Sequence, residues 1–244
     1  MANLIELTTK NNIAILTMNT AENRHNPAFL AEFNLHLDHI EADQSIKSVI
    51  LTSASDKNWS LGIDLQWMSD PSILPAAISD FMVQIGDLFK RIVTFPMPVI
   101  AALNGHTYGN GAVLACACDF RFMKSDKGFF CFPEVDVMVP FVPSMFPIIN
   151  KAIPQTFFNR LAMSGLRVGA KQLLDSNVAE DIFTNDDTLQ SGVLEFAQQF
   201  NKNRWIYGQN KTQMNKQILL TMKEEDPSFI DNISKMLWKN LQKK

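Results

Sequence analysis

Apolar and polar residues alternate through NLIELTTKNNIAILTMN (3–19), broken at Lys10–Asn12. The pattern predicts two short strands joined by a turn. After the polar loop TAENRHN (20–26), Pro27 opens a segment in which Leu30, Phe33, Leu37 and Ile40 share one face, predicting a helix through about residue 43. KSVILTSAS (47–55) reads as a buried strand. In PAAISDFMVQIGDLFKRIVTF (75–95) the apolar positions Ile78, Phe81, Met82, Ile85, Leu88, Phe89 and Ile92 recur at helical spacing and stop before Pro96. PVIAALNG (98–105) is the next strand and GNGAVLACACD (109–119) a short buried helix, with further strands at 119–123 and 129–132. This alternation predicts an α/β fold.

Beyond Pro154, FFNRLAMSG and GAKQLLDS predict two more helices, separated at Gly165–Gly169. From Asp187 onward the chain is more polar and reads as strand-free, with helices at Val193–Phe200 and Met214–Met222. The expected division is therefore a core over residues 1–190 and a helical appendage over 191–244. No internal repeat or Gly/Ser linker is evident.

Composition narrows the class of protein. With 244 residues, 46% of them hydrophobic, the chain is long enough to bury a large core. A net charge of −3 and a pI of about 5.8 give no general basic surface, and the first Lys-rich run is the short tail NLQKK (240–244), so nucleic acid is not the expected partner. Cys116, Cys118 and Cys131 lie in apolar segments without metal-ligand spacing and read as reduced core thiols, with no metal site expected. No run approaches 18 apolar residues and MANLIELTTK has no signal-like apolar core. The expectation is a soluble cytoplasmic protein without a membrane partner.

Chemistry is suggested by FPEVDVMVP (132–140), where Glu134 and Asp136 interrupt an apolar stretch preceded by GFFCF. An ionised acid in such surroundings costs several kcal/mol unless it is paired, solvated or kept protonated, and acid/base catalysis is one reason to keep it. Two glycine turns precede it. In WSLGIDLQWM (59–68), Gly62 lets the backbone approach a ligand; in NGHTYGNGAVLACACD (104–119), Gly109 and Gly111 bracket Asn110 at the start of an apolar helix, whose first N–H groups lack internal partners. Two sets of donors and one carboxylate are what proton abstraction beside a carbonyl requires. A dinucleotide-binding turn is the competing reading of Gly109–Gly111, but Leu114 stands where the third glycine belongs, and neither a P-loop nor a Gly-x-Ser-x-Gly elbow is present.

Taken together, GIDL, PVIAALNGHTYGNG, CDFRF, FPEVDV and MSGLRVGAKQLLDSNVAEDIF resemble the crotonase (enoyl-CoA hydratase/isomerase) superfamily from about residue 3 to 183. The resemblance implies a spiral of ββα units followed by a C-terminal helical region, assembled as a homotrimer or a dimer of trimers. It implies an acyl-CoA substrate, coenzyme A being part of that substrate and no separate cofactor being needed. The amides of Ile63 and Asn110 would form an oxyanion hole for the thioester oxygen, with Glu134 as the base. Arg24, His25, Ser60, Leu61, Gly62, Asp64, Leu65 and Gly109 would lie along the bound acyl-CoA, Arg24 and His25 in the loop that covers coenzyme A and Asp64 as a cap on the turn.

Two departures matter. Members commonly have glycine at the position of Asn110, and hydratases carry a second glutamate at the position of Val113. A hydratase uses two carboxylates on water, whereas a double-bond isomerase manages with one. The pattern thus resembles the Δ3,Δ2-enoyl-CoA isomerases, the plant type above all, and implies that Glu134 moves a proton from C2 of a 3-enoyl-CoA to C4. An enoyl-CoA hydratase and a non-catalytic acyl-CoA-binding scaffold are the alternatives. Asp136, two residues on, faces the same side as Glu134 if the chain there is extended and is the second candidate base. Phe132, Val135 and Val137 are expected to supply the apolar surroundings of Glu134, and Met68, Met82, Met138, Met145 and Met163 adaptable packing.

Overall fold

A computed structural model describes residues 3–241; Met1, Ala2 and 242–244, the ends of the two expected segments, lie outside the described residues. The chain opens with β1 (Ile5–Lys10) and β2 (Ile13–Met18), an antiparallel hairpin. Asn11 and Asn12 both have positive φ, the geometry of the tight turn that asparagine tolerates. Then come β3 (Arg24–His25), α1 (Pro27–Ala42), β4 (Ser48–Ser53), β5 (Asn58–Ser60), β6 (Gly62–Ile63), α2 (Leu65–Met68) and α3 (Pro75–Thr94). The central part is β7 (Val99–Leu103), β8 (His106–Tyr108), α4 (Asn110–Ala117), β9 (Phe120–Lys124), β10 (Phe130–Cys131), α5 (Glu134–Val137), α6 (Met145–Asn150), α7 (Gln155–Ser164) and α8 (Ala170–Asp175). The chain ends with β11 (Asp181–Phe183), α9 (Asp186–Gln198), α10 (Arg204–Met214), α11 (Lys216–Glu224) and α12 (Asp226–Leu241).

A repeated unit organises these elements. β4, β7 and β9 each enter a six-stranded sheet of order β1-β2-β4-β7-β9-β11, parallel except at the opening hairpin. The strand that follows each of them, β5, β8 or β10, joins a three-stranded parallel sheet of order β10-β8-β5, and a helix then returns the chain. Each turn of the spiral thus adds one strand to each sheet, and the small sheet carries its turns toward α4.

The central strands are buried on both faces, as a covered parallel sheet requires. Val49 and Leu51 of β4 face the main core, while Ile50, between them, joins Ile13, Ile100, Ala102 and Phe122 against Leu189, Val193 and Ala197 of α9. The boundary expected near residue 190 therefore falls inside a helix that packs on the main sheet. Several elements depart from expectation. β11 was not anticipated, because a three-residue edge strand leaves almost no periodicity. α10 and α12 were likewise missed, and α9 starts at Asp186, seven residues before the expected helix, on an Asn185 cap. Among the described residues no helix is long and apolar enough to cross a membrane.

Candidate active site

The first wall of the site is the turn after β5. Trp59 is fully buried and fixes that strand, so Ser60 points inward, where its Oγ accepts the Gly62 N–H at 3.2 Å. Gly62 has φ +77°, and a β-carbon there would stand 2.8 Å from both the Asn110 nitrogen and the Tyr108 oxygen, so only glycine fits. Asp64 caps α2, its Oδ1 accepting from the Trp67 N–H at 3.0 Å.

The second wall is the start of α4. Gly109 turns the chain with φ 55°, ψ −127°, and Asn110 becomes the first helical residue. All of α4 is buried, so its N-terminal amides meet the site in a setting with little competing water.

The third element is α5. Pro133 starts a single helical turn, closed by Met138 at φ 60°. This corrects the extended reading of FPEVDV: Glu134 and Asp136 do not share a side by strand alternation. Glu134 points back over the glycine turn, its Oε1 3.6 Å from where a Gly109 β-carbon would be. Its Oε2 is buried without a protein hydrogen-bond partner. Burial pushes this carboxyl up from 4.5 to about 8. Asp136 is exposed and its carboxylate lies against Gly165, where a β-carbon would collide with it.

These walls enclose a cavity of about 290 Å³. Of the residues expected at the site, Arg24, Leu61, Ile63, Leu65, Gly109, Asn110 and Glu134 line it, with Asp136 and Val137. Ser60 and His25 do not line it, being fully buried, and Gly62 and Asp64 are also absent from its lining. His25 is a correction, since it was expected in a loop over coenzyme A. It sits instead behind Asn110, stacked on Phe29 at 4.9 Å between ring centroids. Val135, Met138 and Met163 are exposed, which removes Val135 from the carboxylate's apolar surroundings and the two methionines from the core. Phe132, Met68, Met82 and Met145 are buried as expected, as are the three free cysteines.

Sequence reasoning missed Tyr108, Cys131, Val139 and Arg167 on the cavity wall. The Arg167 guanidinium lies 5.7 Å from the Tyr108 ring centroid, while Arg24 reaches the Ile63 carbonyl at 3.5 Å. The only sequence signal for Arg167 was a lone arginine between Gly165 and Gly169.

Comparison with known proteins places this geometry. The chain belongs to the enoyl-CoA hydratase/isomerase family, whose model matches residues 8–240. It is 29% identical over 165 residues to enoyl-CoA delta isomerase 2, peroxisomal, of Arabidopsis thaliana, covering 65% of this chain and 68% of that protein. It is 32% identical over 165 residues to enoyl-CoA delta isomerase 3 of the same plant, with the same coverage. The human mitochondrial delta3-delta2-enoyl-CoA isomerase structure superposes with a TM-score of 0.88 over 98% of this chain and 96% of that one, at 21% identity. The fold is thus the crotonase spiral, as the sequence motifs implied.

Proposed function

We propose that the protein is an enoyl-CoA isomerase that converts a 3-enoyl-CoA into a 2-enoyl-CoA with Glu134 as its single base. The observation that carries this reading is the Glu134 carboxyl standing over the Gly109 turn with its Oε2 buried and without a protein partner. A base with its pKa raised to about 8 both accepts a proton from carbon and returns it near neutral pH.

In this mechanism the thioester oxygen lies between the Ile63 and Asn110 N–H groups. Glu134 takes a proton from C2, and the electron pair left behind delocalises through the carbonyl and the C3–C4 double bond as a dienolate. The two amides stabilise the negative oxygen. Glu134 then returns the same proton to C4, and the double bond settles between C2 and C3. No atom is gained or lost.

Val113, fully buried in α4, supports isomerisation over hydration, because hydratases of the family carry their second glutamate at this position and this chain has only Glu134. Arg24 and Arg167 at the cavity wall suit the anionic coenzyme A portion of the substrate, and assembly as a trimer or dimer of trimers belongs to the same proposal. Purified protein incubated with 3-enoyl-CoA and, separately, with 2-enoyl-CoA tests the reading. Isomerisation without comparable hydration supports it; rapid hydration, or acyl-CoA binding without turnover, overturns it.

A further inference from the structure

Behind the cavity, a chain of buried hydrogen bonds joins the two walls that carry the proposed oxyanion donors. Asn110 Nδ2 lies 2.8 Å from His25 Nδ1, and His25 Nε2 lies 3.1 Å from Ser60 Oγ. The same Ser60 Oγ is 2.8 Å from the Asn23 carbonyl oxygen and accepts the Gly62 N–H.

Counting protons fixes every direction in this chain. A carbonyl oxygen only accepts, so the one hydroxyl proton of Ser60 goes to Asn23. Ser60 Oγ must then accept from His25, which puts the ring proton on Nε2 and leaves Nδ1 bare. A bare Nδ1 requires the NH₂ end of Asn110 to face it. The ring stays neutral, because complete burial pushes its pKa down to about 3.

We infer that His25 and Asn110 form a brace that sets the separation of the Ile63 and Asn110 amides, making His25 a positioning residue for the thioester oxygen. One end of the brace holds the turn Ser60–Ile63 and the other holds the first residue of α4, so its length determines the gap between them. The stacked Phe29 ring keeps the imidazole in plane with this path. The inference rests on the proposed role of the two amides.

Its test uses hexanoyl-CoA labelled with ¹³C at the thioester carbonyl, which binds but has no double bond to move. Infrared difference spectra report how strongly the two amides polarise that carbonyl. The parent protein is expected to shift the band to lower frequency, and His25→Leu to move it back toward its position in water. With 3-enoyl-CoA, His25→Leu should lower kcat ~10-fold to ~100-fold, part of the effect of losing one oxyanion donor, with KM changed less than about twofold. Asn110→Gly should cause the same loss, and the double variant should be no worse than either single one, because both cut the same brace. His25→Gln, which keeps a donor and an acceptor, should recover most of the shift. Should His25→Leu fail to fold, Asn110→Ala cuts the brace from the other end.

A lower melting temperature with an unchanged carbonyl band, or additive losses in the double variant, would overturn the brace. An unshifted band in the parent would overturn it too, as would failure to bind hexanoyl-CoA. Absence of isomerisation with a shifted band that responds to His25→Leu would instead sink the proposed reaction and leave the brace standing.

Discussion

The backbone of Gly62 lies directly against the amide of Asn110, so that a β-carbon on Gly62 would stand 2.8 Å from the Asn110 nitrogen. Backbone on backbone cannot rotate away as a side chain can. Gly62→Ala must therefore part the two walls of the site, and its φ of +77° adds strain. The expected loss is about 1–3 kcal/mol of stability and at least ~100-fold in turnover, the scale of one misplaced oxyanion donor. Denaturant titration and steady-state kinetics with 3-enoyl-CoA measure both; a folded variant with unchanged turnover contradicts the arrangement.

The Glu134 carboxyl gives a pH signature. Its pKa in the fold is about 8 against a usual 4.5, so the base is ionised only above the folded value. The ratio kcat/KM should rise about tenfold per pH unit up to about pH 8 and then level. Stability runs the other way. A raised carboxyl pKa means that the folded protein holds the proton more tightly, so the contribution is complete below about pH 4.5 and is lost as pH rises through about 8. Glu134→Gln should accordingly melt above the parent at about pH 9 and match it near about pH 4 once the acid effect is gone. A stability gap independent of pH would contradict the raised pKa.

Val113 is fully buried and is not part of the cavity wall. Val113→Glu places a carboxylate among hydrocarbons with no partner, so it should cost about 2–4 kcal/mol rather than install hydration. Thermal melts and a 2-enoyl-CoA hydration assay decide this. A stable variant with strong hydratase activity would show that the site accepts a second acid.

A largely buried ion pair ties α10 to the body of the fold. Lys211 of α10 places its Nζ 2.8 Å from Asp119 Oδ2 and 3.0 Å from the Ile92 carbonyl, and the same Asp119 oxygen accepts the Val99 N–H at the start of β7. Lys211→Met leaves the partly buried Asp119 with the Val99 N–H but no cation, a loss of about 1–3 kcal/mol. Because α9 also packs on the sheet, urea unfolding of the parent should show one transition. Two separate transitions, with Lys211→Met affecting only one, would define an independent appendage.

How much of this was legible in the sequence follows from what sequence patterns record. The long amphipathic face from Ile78 to Ile92 and the alternation around Lys10–Asn12 each repeat a period several times, and both elements stand where the pattern put them. β11 and the one-turn α5 are too short to express any period, so the extended reading of FPEVDV failed. Glu134 was legible as an acid in an apolar stretch, and Gly62 and Gly109 as turns. The partnership of His25 with Asn110 was not, because 85 residues separate them and only the spiral brings β3 behind α4. Arg24 lines the cavity while its neighbour His25 does not, since successive residues of a strand point to opposite sides.

The central claim is that Glu134 carries the proton, and Glu134→Gln tests it most directly because the amide keeps the side-chain shape. Conversion of 3-enoyl-CoA to 2-enoyl-CoA is measured alongside acyl-CoA affinity in the same preparation. The account predicts binding within about threefold of the parent and turnover lowered ~10²-fold to ~10⁴-fold, the contribution of a positioned acid/base. Isomerisation at the parent's rate by Glu134→Gln would contradict it and turn attention to Asp136 on the same cavity wall.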